Sequence, residues 1–250
     1  MHNFLSNLLN EVASVLLEQK KVGPIKGVWK GTQLHINADR IIHKLIVEKL
    51  NAFDASIPII SEEDINQETV YYDKYWLIDP LDGTASYAEN FDGYVSQIAL
   101  IKDHIPVVAA VISPKTGEYF YAELGGVSFK NNNLLKCVAN KTTTLIDNYS
   151  EPSGITKKIY TELNMDTYIE SGSLGLKLCR IADGTADIFF KDVIVRDWDI
   201  APGHLIVQEA NGFVKNKSGK QIKYKGRGEI NGIIATSNSQ LLNNYLNLNI

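Results

Sequence analysis

The stretch Trp76-Leu77-Ile78-Asp79-Pro80-Leu81-Asp82-Gly83-Thr84 decides the fold of this 250-residue chain. Its apolar start is rich in strand-forming residues and meets turn formers at Asp79-Pro80, which predicts a strand that stops there. Pro80 keeps the backbone out of a helix between Asp79 and Asp82, so both carboxylates and the Leu81 carbonyl can converge on one cation. Oxygen ligands of this kind select Mg²⁺, Mn²⁺ or Ca²⁺ over softer metals.

Gly83 and Thr84 follow the acidic pair, and residues 85–90 are expected to begin a short helix. The free N–H groups at the start of such a helix can seat a phosphate that also bridges the cation. The alternative is that the segment from Asp79 to Thr84 is only a turn, because Asp, Pro and Gly form turns and Thr caps helices. The hexapeptide alone leaves both interpretations open.

Two further acids follow apolar runs at distant points of the chain. Glu62 comes just after residues 57–60, which are typical of a buried strand, and Asp199 follows the apolar residues 193–195 just before a predicted helix. Each could join the acidic pair as a metal ligand. Glu62 could equally be a solvated residue at a strand edge, and Asp199 could be a helix cap.

Composition restricts the classes of protein that this chain can be. With 44% apolar residues, the chain can bury one large core or two small ones. Its 25 Lys and Arg against 29 Asp and Glu give a net charge of −4, and no long basic run suits a nucleic-acid polymer. Cys137 and Cys179 lack the spacing of a zinc site and fit a reduced, cytoplasmic protein. No signal peptide and no run of roughly 20 apolar residues is present, so we expect a soluble protein without a membrane partner.

Hydrophobic periodicity predicts two halves, residues 1–140 and 141–250, that differ in their order of helices and strands. The first half is expected to place helices on an antiparallel sheet, with helices at 3–20 and 38–53 and strands at 57–60, 75–78, 94–102, 107–113, 118–123 and 126–130. Helices alternate with strands in the second half, which indicates a smaller α/β layer. Its predicted strands are 144–148, 167–170, 186–190 and 232–236, and its predicted helices are 153–163, 174–183 and 204–211.

The segment from Trp76 to Thr84, preceded by Glu62 and followed far downstream by Trp198-Asp199-Ile200-Ala201-Pro202-Gly203, resembles the paired signatures of the inositol monophosphatase superfamily. The resemblance extends from the first helix through Gly212. It implies an α/β fold, an α+β sandwich with αβαβα layers. It also implies a magnesium-dependent phosphoric monoester hydrolase that uses metal-activated water, with two or three Mg²⁺ ions per site and inhibition by lithium.

Transferred position by position, the resemblance assigns the metal ligands as Glu62, Asp79, the Leu81 carbonyl, Asp82 and Asp199. Gly83 and Thr84 would hold the phosphate. Asp39 matches the acid that pairs with the threonine, so Asp39, Thr84 and Glu62 form the expected catalytic group that orients and deprotonates water. Asp39 could instead be only a favourable carboxylate at a helix N-terminus.

The second half is expected to select among small-molecule phosphate esters. Ser61-Glu62-Glu63-Asp64 and residues 172–177, Gly-Ser-Leu-Gly-Leu-Lys, are similar to bacterial 3'(2'),5'-bisphosphate nucleotidases. This resemblance implies that adenosine 3',5'-bisphosphate is hydrolysed to AMP and phosphate, with Ser173 and Lys177 among the substrate-binding residues and Lys177 near the second phosphate. Lys177 could otherwise be an exposed helix lysine.

Other features favour other esters. Ala85-Ser86-Tyr87 departs from the Lys-Glu-Phe that commonly follows the threonine in those nucleotidases, and residues 31–36 depart from the usual segment before Asp39. Asp192 lies seven residues before Asp199, where inositol phosphatases carry an acid that binds sugar hydroxyls, although Asp192 could be only a turn residue. Inositol-1-phosphate, another sugar phosphate or histidinol phosphate is therefore the alternative substrate. A non-catalytic metal- or polyanion-binding homologue is a third interpretation, and the oligomeric state is left open, a homodimer included.

Overall fold

A computed structural model describes residues 1–21, 27–30, 33–64, 71–137 and 140–248, with the backbone alone at residues 28–30 and 33–35. We expect the helix at residues 3–20 to end before Gly23-Pro24, and these two residues lie outside the described ranges, as do Gly31 and Thr32 of the segment before Asp39. Within the described ranges, no helix is both long and apolar enough to cross a membrane.

Two amphipathic helices dominate the start of the chain. The elements are α1 (His2–Lys21), the antiparallel pair β1 (Gly27–Lys30) and β2 (Gln33–Ile36), and α2 (Asn37–Asp54). Both helices bury apolar side chains at helical spacing, among them Leu5, Leu9 and Val12 in α1 and Ile42, Ile46 and Leu50 in α2. Their predicted positions are confirmed to within a few residues.

A seven-stranded sheet follows. Its strands lie side by side in the order β3 (Ile59–Ser61), β4 (Lys74–Asp82), β5 (Val95–Lys102), β6 (Ile105–Ser113), β7 (Glu118–Glu123), β8 (Ser128–Lys130) and β9 (Asn133–Leu135). A one-turn helix, α3 (Thr84–Ala88), connects β4 to β5. β3 pairs with β4 in parallel, and every later pair is antiparallel. The predicted meander is thus confirmed, apart from its parallel edge and the unpredicted β9.

β4 continues through the acidic motif instead of ending at Asp79-Pro80. Asp79 pairs with Gln97 and Asp82 with Val95, so β4 takes three residue steps where β5 takes two. This bulge interrupts the ladder and accommodates Pro80, which has no N–H to donate. The predicted strand end is therefore wrong, because a bulge accepts a proline that a regular inner strand would not.

A five-stranded sheet with helices on both faces forms the second half. Its elements run in chain order as β10 (Thr144–Asp147), α4 (Gly154–Glu162), β11 (Thr167–Glu170), α5 (Leu174–Ala182), β12 (Ile188–Arg196), α6 (Asp197–Glu209), β13 (Phe213–Asn216), β14 (Glu229–Thr236) and α7 (Ser239–Leu246). The strand order is β11-β10-β12-β14-β13, parallel around β10 and antiparallel around β14. β13 and α7 were not predicted, and β12 is longer than predicted.

α6 begins at Asp197 rather than near residue 204, and Pro202 lies inside it. Pro and Gly are poor helix formers, and for this reason the sequence pattern predicts a helix start several residues too late. In the structure α6 is buried on nearly all sides, so tertiary packing outweighs local propensity. Gly203 has a packing role, because a Cβ at this position would lie 2.6 Å from the Leu178 Cβ of α5.

The elements stack in five layers. α1 and α2 cover one face of the seven-stranded sheet, where Ile46 and Ile78 share an apolar cluster. α5 and α6 fill the space between the sheets, where Leu205 and Phe189 belong to one core. α4 and α7 cover the far face of the five-stranded sheet around Ile159. The αβαβα arrangement is confirmed, while the division of the chain at residue 140 stays a prediction.

Candidate active site between the two sheets

Parallel pairing of β3 with β4 brings Glu62 beside Asp79. Ser61 is in register with Ile78, and the Glu62 N–H donates to the Ile78 carbonyl at 3.2 Å. Glu62 follows Ser61 in the chain and Asp79 follows Ile78, and the two carboxyl groups share a hydrogen bond. Such a bond requires a proton on one of the two groups. Two predicted metal ligands from separate strands are therefore neighbours.

Gln97 of β5 lies opposite the bulge and links three acidic residues. Its Nε2 donates toward Asp79 Oδ2 and Asp82 Oδ2, both at 3.4 Å, and toward the Asp199 carbonyl at 3.2 Å. Gln97 is fully buried, and its Oε1 accepts no hydrogen bond from the described residues. Sequence analysis missed this residue, whose only signal is a polar side chain at an inward position of an apolar strand.

Asp82 faces the N-terminus of α5. Its carboxylate accepts hydrogen bonds from the Gly175 N–H at 2.7 Å and the Leu174 N–H at 3.4 Å. The free N–H groups of a helix N-terminus stabilise negative charge. A Cβ at position 175 would lie 2.3 Å from Gln97 Oε1, so any larger residue would displace the Gln97 side chain. A predicted ligand from the first half is thus held by a helix of the second.

Three glycine backbones meet beside Asp82. A Cβ on Gly93 would lie 2.2 Å from the Gly172 nitrogen, and a Cβ on Gly83 would lie 2.6 Å from the Gly93 carbonyl oxygen. Gly83 also has a φ of 89°, which favours glycine. The Gly93 carbonyl accepts a hydrogen bond from the Ser173 N–H at 2.7 Å. The predicted substrate-binding residues Gly83 and Ser173 therefore lie close together.

Asp199 approaches from the first turn of α6. Its Oδ2 accepts a hydrogen bond from the Arg196 N–H at 2.7 Å, so Asp199 does cap the helix. It also belongs to the acidic group, since Gln97 bonds to its carbonyl and the charge of Asp82 raises its pKa. The cap and ligand interpretations are therefore compatible.

Burial raises the pKa values of all four carboxyl groups, and the charge of a neighbouring acid adds to the shift for Glu62, Asp79 and Asp199. The pKa of Glu62 rises to about 8 through burial and the charge of Asp199. The pKa of Asp199 rises to about 7 through burial and the charge of Asp82. The pKa values of Asp79 and Asp82 are raised as well, chiefly by burial. These groups therefore retain protons that a divalent cation would displace.

The oxygen-only donor set fits a hard cation such as Mg²⁺ in chemistry and burial. Among the described residues, no three His, Cys, Asp or Glu side chains are already arranged to hold a metal ion. Glu62 and Asp79 share a hydrogen bond, and α5 and Gln97 engage Asp82. Cation binding would therefore have to break the contact between the Glu62 and Asp79 carboxyl groups and turn them toward the ion.

Thr84 and Asp39 make separate contacts in this structure. The Thr84 hydroxyl donates to the Leu81 carbonyl at 3.0 Å. Asp39 Oδ2 accepts from the Ile36 N–H at 2.8 Å at the start of α2, while Oδ1 is buried and accepts nothing from the described residues. Burial raises the pKa of Asp39 to about 7. No described hydrogen bond joins Asp39 to Thr84, so their pairing stays a prediction.

Lys177 is fully buried, which excludes the alternative of an exposed helix lysine. Its Nζ donates to the Gly172 carbonyl and, at 3.0 Å, to the Ser173 carbonyl. Burial lowers the pKa of Lys177 to about 7, although the nearby charge of Asp82 opposes this shift. Ser173 caps α5, because its Oγ accepts from the Leu176 N–H at 2.9 Å. Both predicted residues therefore lie beside Asp82.

Asp192 lies at a bulge of β12 and pairs with Lys217, with 2.5 Å between Oδ1 and Nζ. The pair lines a recess of about 320 Å³ together with Phe190 and Tyr245, and none of the predicted metal ligands lines it. The structure does not bring Asp192 to the acidic group, and hydroxyl binding by this residue stays a prediction.

Lys191, the neighbour of Asp192, reaches the end of β10 instead. Its Nζ donates to Asn148 Oδ1 at 3.1 Å and lies 3.8 Å from Asp147 Oδ1 and 6.0 Å from the Tyr149 ring centroid. Asn148 in turn donates to the Gly172 carbonyl at 3.3 Å, the same carbonyl that accepts from Lys177. Lys191 is not among the predicted site residues, because alternation along a bulged strand does not show which side chain turns toward the end of β10.

Nearly the whole chain is similar to proteins of one family. The model of the inositol monophosphatase family matches residues 2–248. The 3'(2'),5'-bisphosphate nucleotidase CysQ of Salmonella typhimurium is 30% identical over 200 residues, which cover 76% of this chain and 79% of the relative. CysQ of Aggregatibacter actinomycetemcomitans is 28% identical over 200 residues, covering 76% of this chain and 74% of the relative.

Solved structures show the same fold. An extragenic suppressor protein, suhB, from Bartonella henselae aligns with a TM-score of 0.84 and 24% identity over 100% of this chain and 99% of its own. A Thermotoga maritima IMPase aligns with a TM-score of 0.82 and 24% identity over 97% of this chain and 95% of its own. The chain belongs to the inositol monophosphatase family and is a metal-dependent phosphoric monoester hydrolase.

Proposed function

We propose that the protein is a magnesium-dependent 3'(2'),5'-bisphosphate nucleotidase that hydrolyses adenosine 3',5'-bisphosphate to AMP and phosphate. The observation that carries the hydrolytic chemistry is the convergence of four carboxyl groups, those of Glu62, Asp79, Asp82 and Asp199, with Gln97 donating to Asp79 and Asp82. Similarity to relatives named as bisphosphate nucleotidases supports the choice of substrate.

The residues that would hold Mg²⁺ are Glu62, Asp79, the Leu81 carbonyl, Asp82 and Asp199. When bound, Mg²⁺ would neutralise negative charge on the phosphate and lower the pKa of a coordinated water molecule. The carboxyl groups must first give up the protons that burial keeps on them, so proton release should accompany cation binding. The Gln97 amide holds Asp79 and Asp82 in place during this change.

Asp39 and Thr84 are the proposed pair that orients and deprotonates the attacking water. The Thr84 hydroxyl now donates to the Leu81 carbonyl, which is itself a proposed ligand. A cation bound to that carbonyl would make it a weaker acceptor for the hydroxyl, and Asp39 Oδ1 has no hydrogen-bond partner among the described residues. A pKa of about 7 allows Asp39 to exchange a proton near neutral pH.

The positions of Lys191 and Tyr149 favour a substrate whose leaving group carries both a second phosphate and a base. Lys191 is partly exposed, and its charge is close enough to lower the pKa of Lys177, which in turn senses Asp82. Tyr149 is 58% exposed and offers an aromatic face beside this cation. A second phosphate would form a charge-assisted hydrogen bond with Lys191, whereas an inositol ring carries no charge that could do so.

A phosphate-release assay tests the proposal with adenosine 3',5'-bisphosphate, inositol-1-phosphate and histidinol phosphate, each with and without Mg²⁺. We expect release from the bisphosphate only with Mg²⁺, and loss of turnover in Asp199→Asn because a ligand charge is removed. Near-normal hydrolysis by Asp199→Asn would contradict the ligand assignment. Preferred hydrolysis of inositol-1-phosphate would assign the alternative substrate class, and Mg²⁺ binding without release from any ester would indicate a non-catalytic homologue.

Lys191→Ala tests the leaving-group assignment separately. We expect kcat/KM for the bisphosphate to fall about 10- to 100-fold, the range of one charge-assisted hydrogen bond, with little change for inositol-1-phosphate. Lys141→Ala, which removes an exposed lysine at the start of the second half, is the matched control and should behave as wild type. Equal losses on both substrates would contradict a role in recognising the second phosphate.

A further inference from the structure

A short loop of the second half touches both sides of the acidic group. Residues 225–228 lie just before β14. On one side they bind Asp197, which is two residues from Asp199, and on the other side they bind Asp64, which is two residues from Glu62. We call these four residues the 225–228 loop.

Asp197 holds the loop from the α6 side. Its Oδ2 accepts hydrogen bonds from the Lys225 N–H at 2.6 Å and the Gly228 N–H at 3.2 Å. The Asp197 N–H donates back to the Gly228 carbonyl at 3.3 Å. Asp197 is fully buried, so these bonds form in the low-dielectric interior where amide bonds to a carboxylate are strong.

Arg227 holds the turn that carries Glu62. Its Nη2 donates to the Asp64 carbonyl at 2.5 Å. The turn is closed by the Asp64 N–H, which donates to the Ser61 carbonyl at 3.2 Å. His43 of α2 braces the same turn, with Nδ1 2.9 Å from Ser61 Oγ and Nε2 3.6 Å from Asp64 Oδ1. Glu62 therefore sits in a turn that the loop and α2 hold from outside.

The loop packs directly against β3 and against the start of α6. A Cβ at Gly226 would lie 2.4 Å from Ile60 Cδ1 of β3, and a Cβ at Gly228 would lie 2.7 Å from Asp197 Oδ1. Gly226 also has a φ of 88°, which favours glycine. The loop is thus in direct contact with the strand that leads to Glu62 and with the helix start that carries Asp199.

We infer that Asp197 and Arg227 are positioning residues that set the separation of Glu62 and Asp199 through the 225–228 loop, and thereby the affinity for Mg²⁺. The inference rests on the proposed ligand assignment of Glu62 and Asp199. Neither residue is assigned a contact with the cation or the substrate. Partners that orient metal ligands from outside typically change metal affinity 10- to 100-fold when they are removed.

Calorimetric titration of the metal-free protein with Mg²⁺ alone tests this inference. We expect Asp197→Asn and Arg227→Ala each to weaken Mg²⁺ binding about 10- to 100-fold. Asp197 and Arg227 act through one loop, so their effects on Mg²⁺ affinity should not add. The double variant should therefore have about the same Mg²⁺ affinity as the single variant that binds Mg²⁺ less tightly. Arg227→Lys keeps a cation that can donate to Asp64 and should recover part of the loss. Lys223→Ala removes an exposed lysine two residues before the 225–228 loop, and this control variant should bind Mg²⁺ as the wild type does.

Hydrogen exchange of the metal-free variants gives a second readout. Loss of either contact should speed exchange at residues 62–64 and 225–228 while the apolar strands of the central sheet remain protected. If Asp197→Asn fails to fold, the partly exposed Arg227 provides the deciding variant. Wild-type Mg²⁺ affinity in Arg227→Ala, together with loss of binding in Asp199→Asn, would overturn the inference and leave the proposed function standing. Wild-type affinity in Asp199→Asn would instead overturn the ligand assignment itself.

Discussion

Gln97 shows how one neutral side chain can organise several charges. Its amide N–H groups face Asp79, Asp82 and the Asp199 carbonyl, and they come from β5, a strand that carries none of the predicted ligands. A neutral donor lowers the repulsion between the carboxylates without competing with a cation for charge. Outer partners of this kind orient the ligands that bind the metal.

Gln97→Leu removes these donors while keeping a similar volume. We expect kcat/KM to fall about 10- to 100-fold and Mg²⁺ binding to weaken in parallel, because Asp79 and Asp82 lose a shared partner. Steady-state kinetics and calorimetry measure the two effects. Ser96→Ala, at the preceding buried position of the same strand, is the control and should retain activity. Unchanged Mg²⁺ affinity in Gln97→Leu would show that the amide does not position the ligands.

At the scale of elements, the site depends on how closely α5 approaches the loop between α3 and β5. Gly93 and Gly172 make this approach without side chains, and the contact places the α5 N-terminus on Asp82. Sequence patterns predicted α5 and the neighbouring strands from their periodicity. They could not predict this contact, because the two glycines are far apart in the chain and nothing local marks them as partners.

Gly93→Ala should separate these backbones. A Cβ there would lie 2.2 Å from the Gly172 nitrogen, so we expect the free energy of unfolding to fall by about 2–3 kcal/mol, with lower activity. Denaturant unfolding measures the change. Gly184→Ala meets open space but has a φ of 77°, and it should cost only about 1 kcal/mol. Equal costs at the two sites would contradict the close-contact argument.

At the scale of the whole molecule, two apolar sheets enclose the acidic group between α5, α6 and the ends of β3 and β4. The same burial that stabilises the core raises the pKa values of the carboxyl groups. In the folded protein, the ionised carboxylates would repel one another and would be poorly solvated. Either protons or a bound cation relieve this unfavourable charge. Stability and metal binding are coupled for this reason.

The metal-free protein should lose stability as the pH rises from about 4.5 to about 7. The folded pKa values of Glu62, about 8, and of Asp39 and Asp199, both about 7, exceed their ordinary values of 4.5 and 3.8. Lys177, whose pKa burial lowers to about 7, offsets Glu62 only above this window. His204, whose pKa burial lowers to about 4, opposes the three carboxyl groups with a single proton, so the folded protein binds more protons than the unfolded chain in this window. Its free energy of unfolding then decreases with increasing pH. Glu118, whose pKa is lowered to about 2 by Arg180, affects stability only below this window.

Thermal unfolding at several pH values, in EDTA and in Mg²⁺, measures this coupling. We expect the Tm in EDTA to fall from pH 4.5 toward pH 7 and the gain from Mg²⁺ to grow over the same range, because cation binding needs deprotonated ligands. Asp199→Asn should show a flatter profile in EDTA. A Tm in EDTA that stays constant or rises between pH 4.5 and pH 7 would contradict raised carboxyl pKa values in the folded state.

The sequence by itself determined the main helices, the meander, the family and the acidic residues of the motif from Asp79 to Thr84. These features are encoded in contiguous residues or in periodic patterns, which act over short range. The sequence left open whether Lys177 is exposed and Asp199 only a cap, and it placed the end of β4 too early.

Only the tertiary structure decided that Lys177 is buried beside Asp82, that Asp192 pairs with Lys217, and that Gln97 lies among the carboxylates. All three facts depend on contacts between residues remote in the chain, and those of Asp192 and Gln97 depend also on a bulged strand. Burial then changes the chemistry, because a carboxyl or ammonium group away from water has a different pKa from the same group in a local sequence window. The acidic motif is therefore local, while the environment that would make it a metal site is a property of the whole fold.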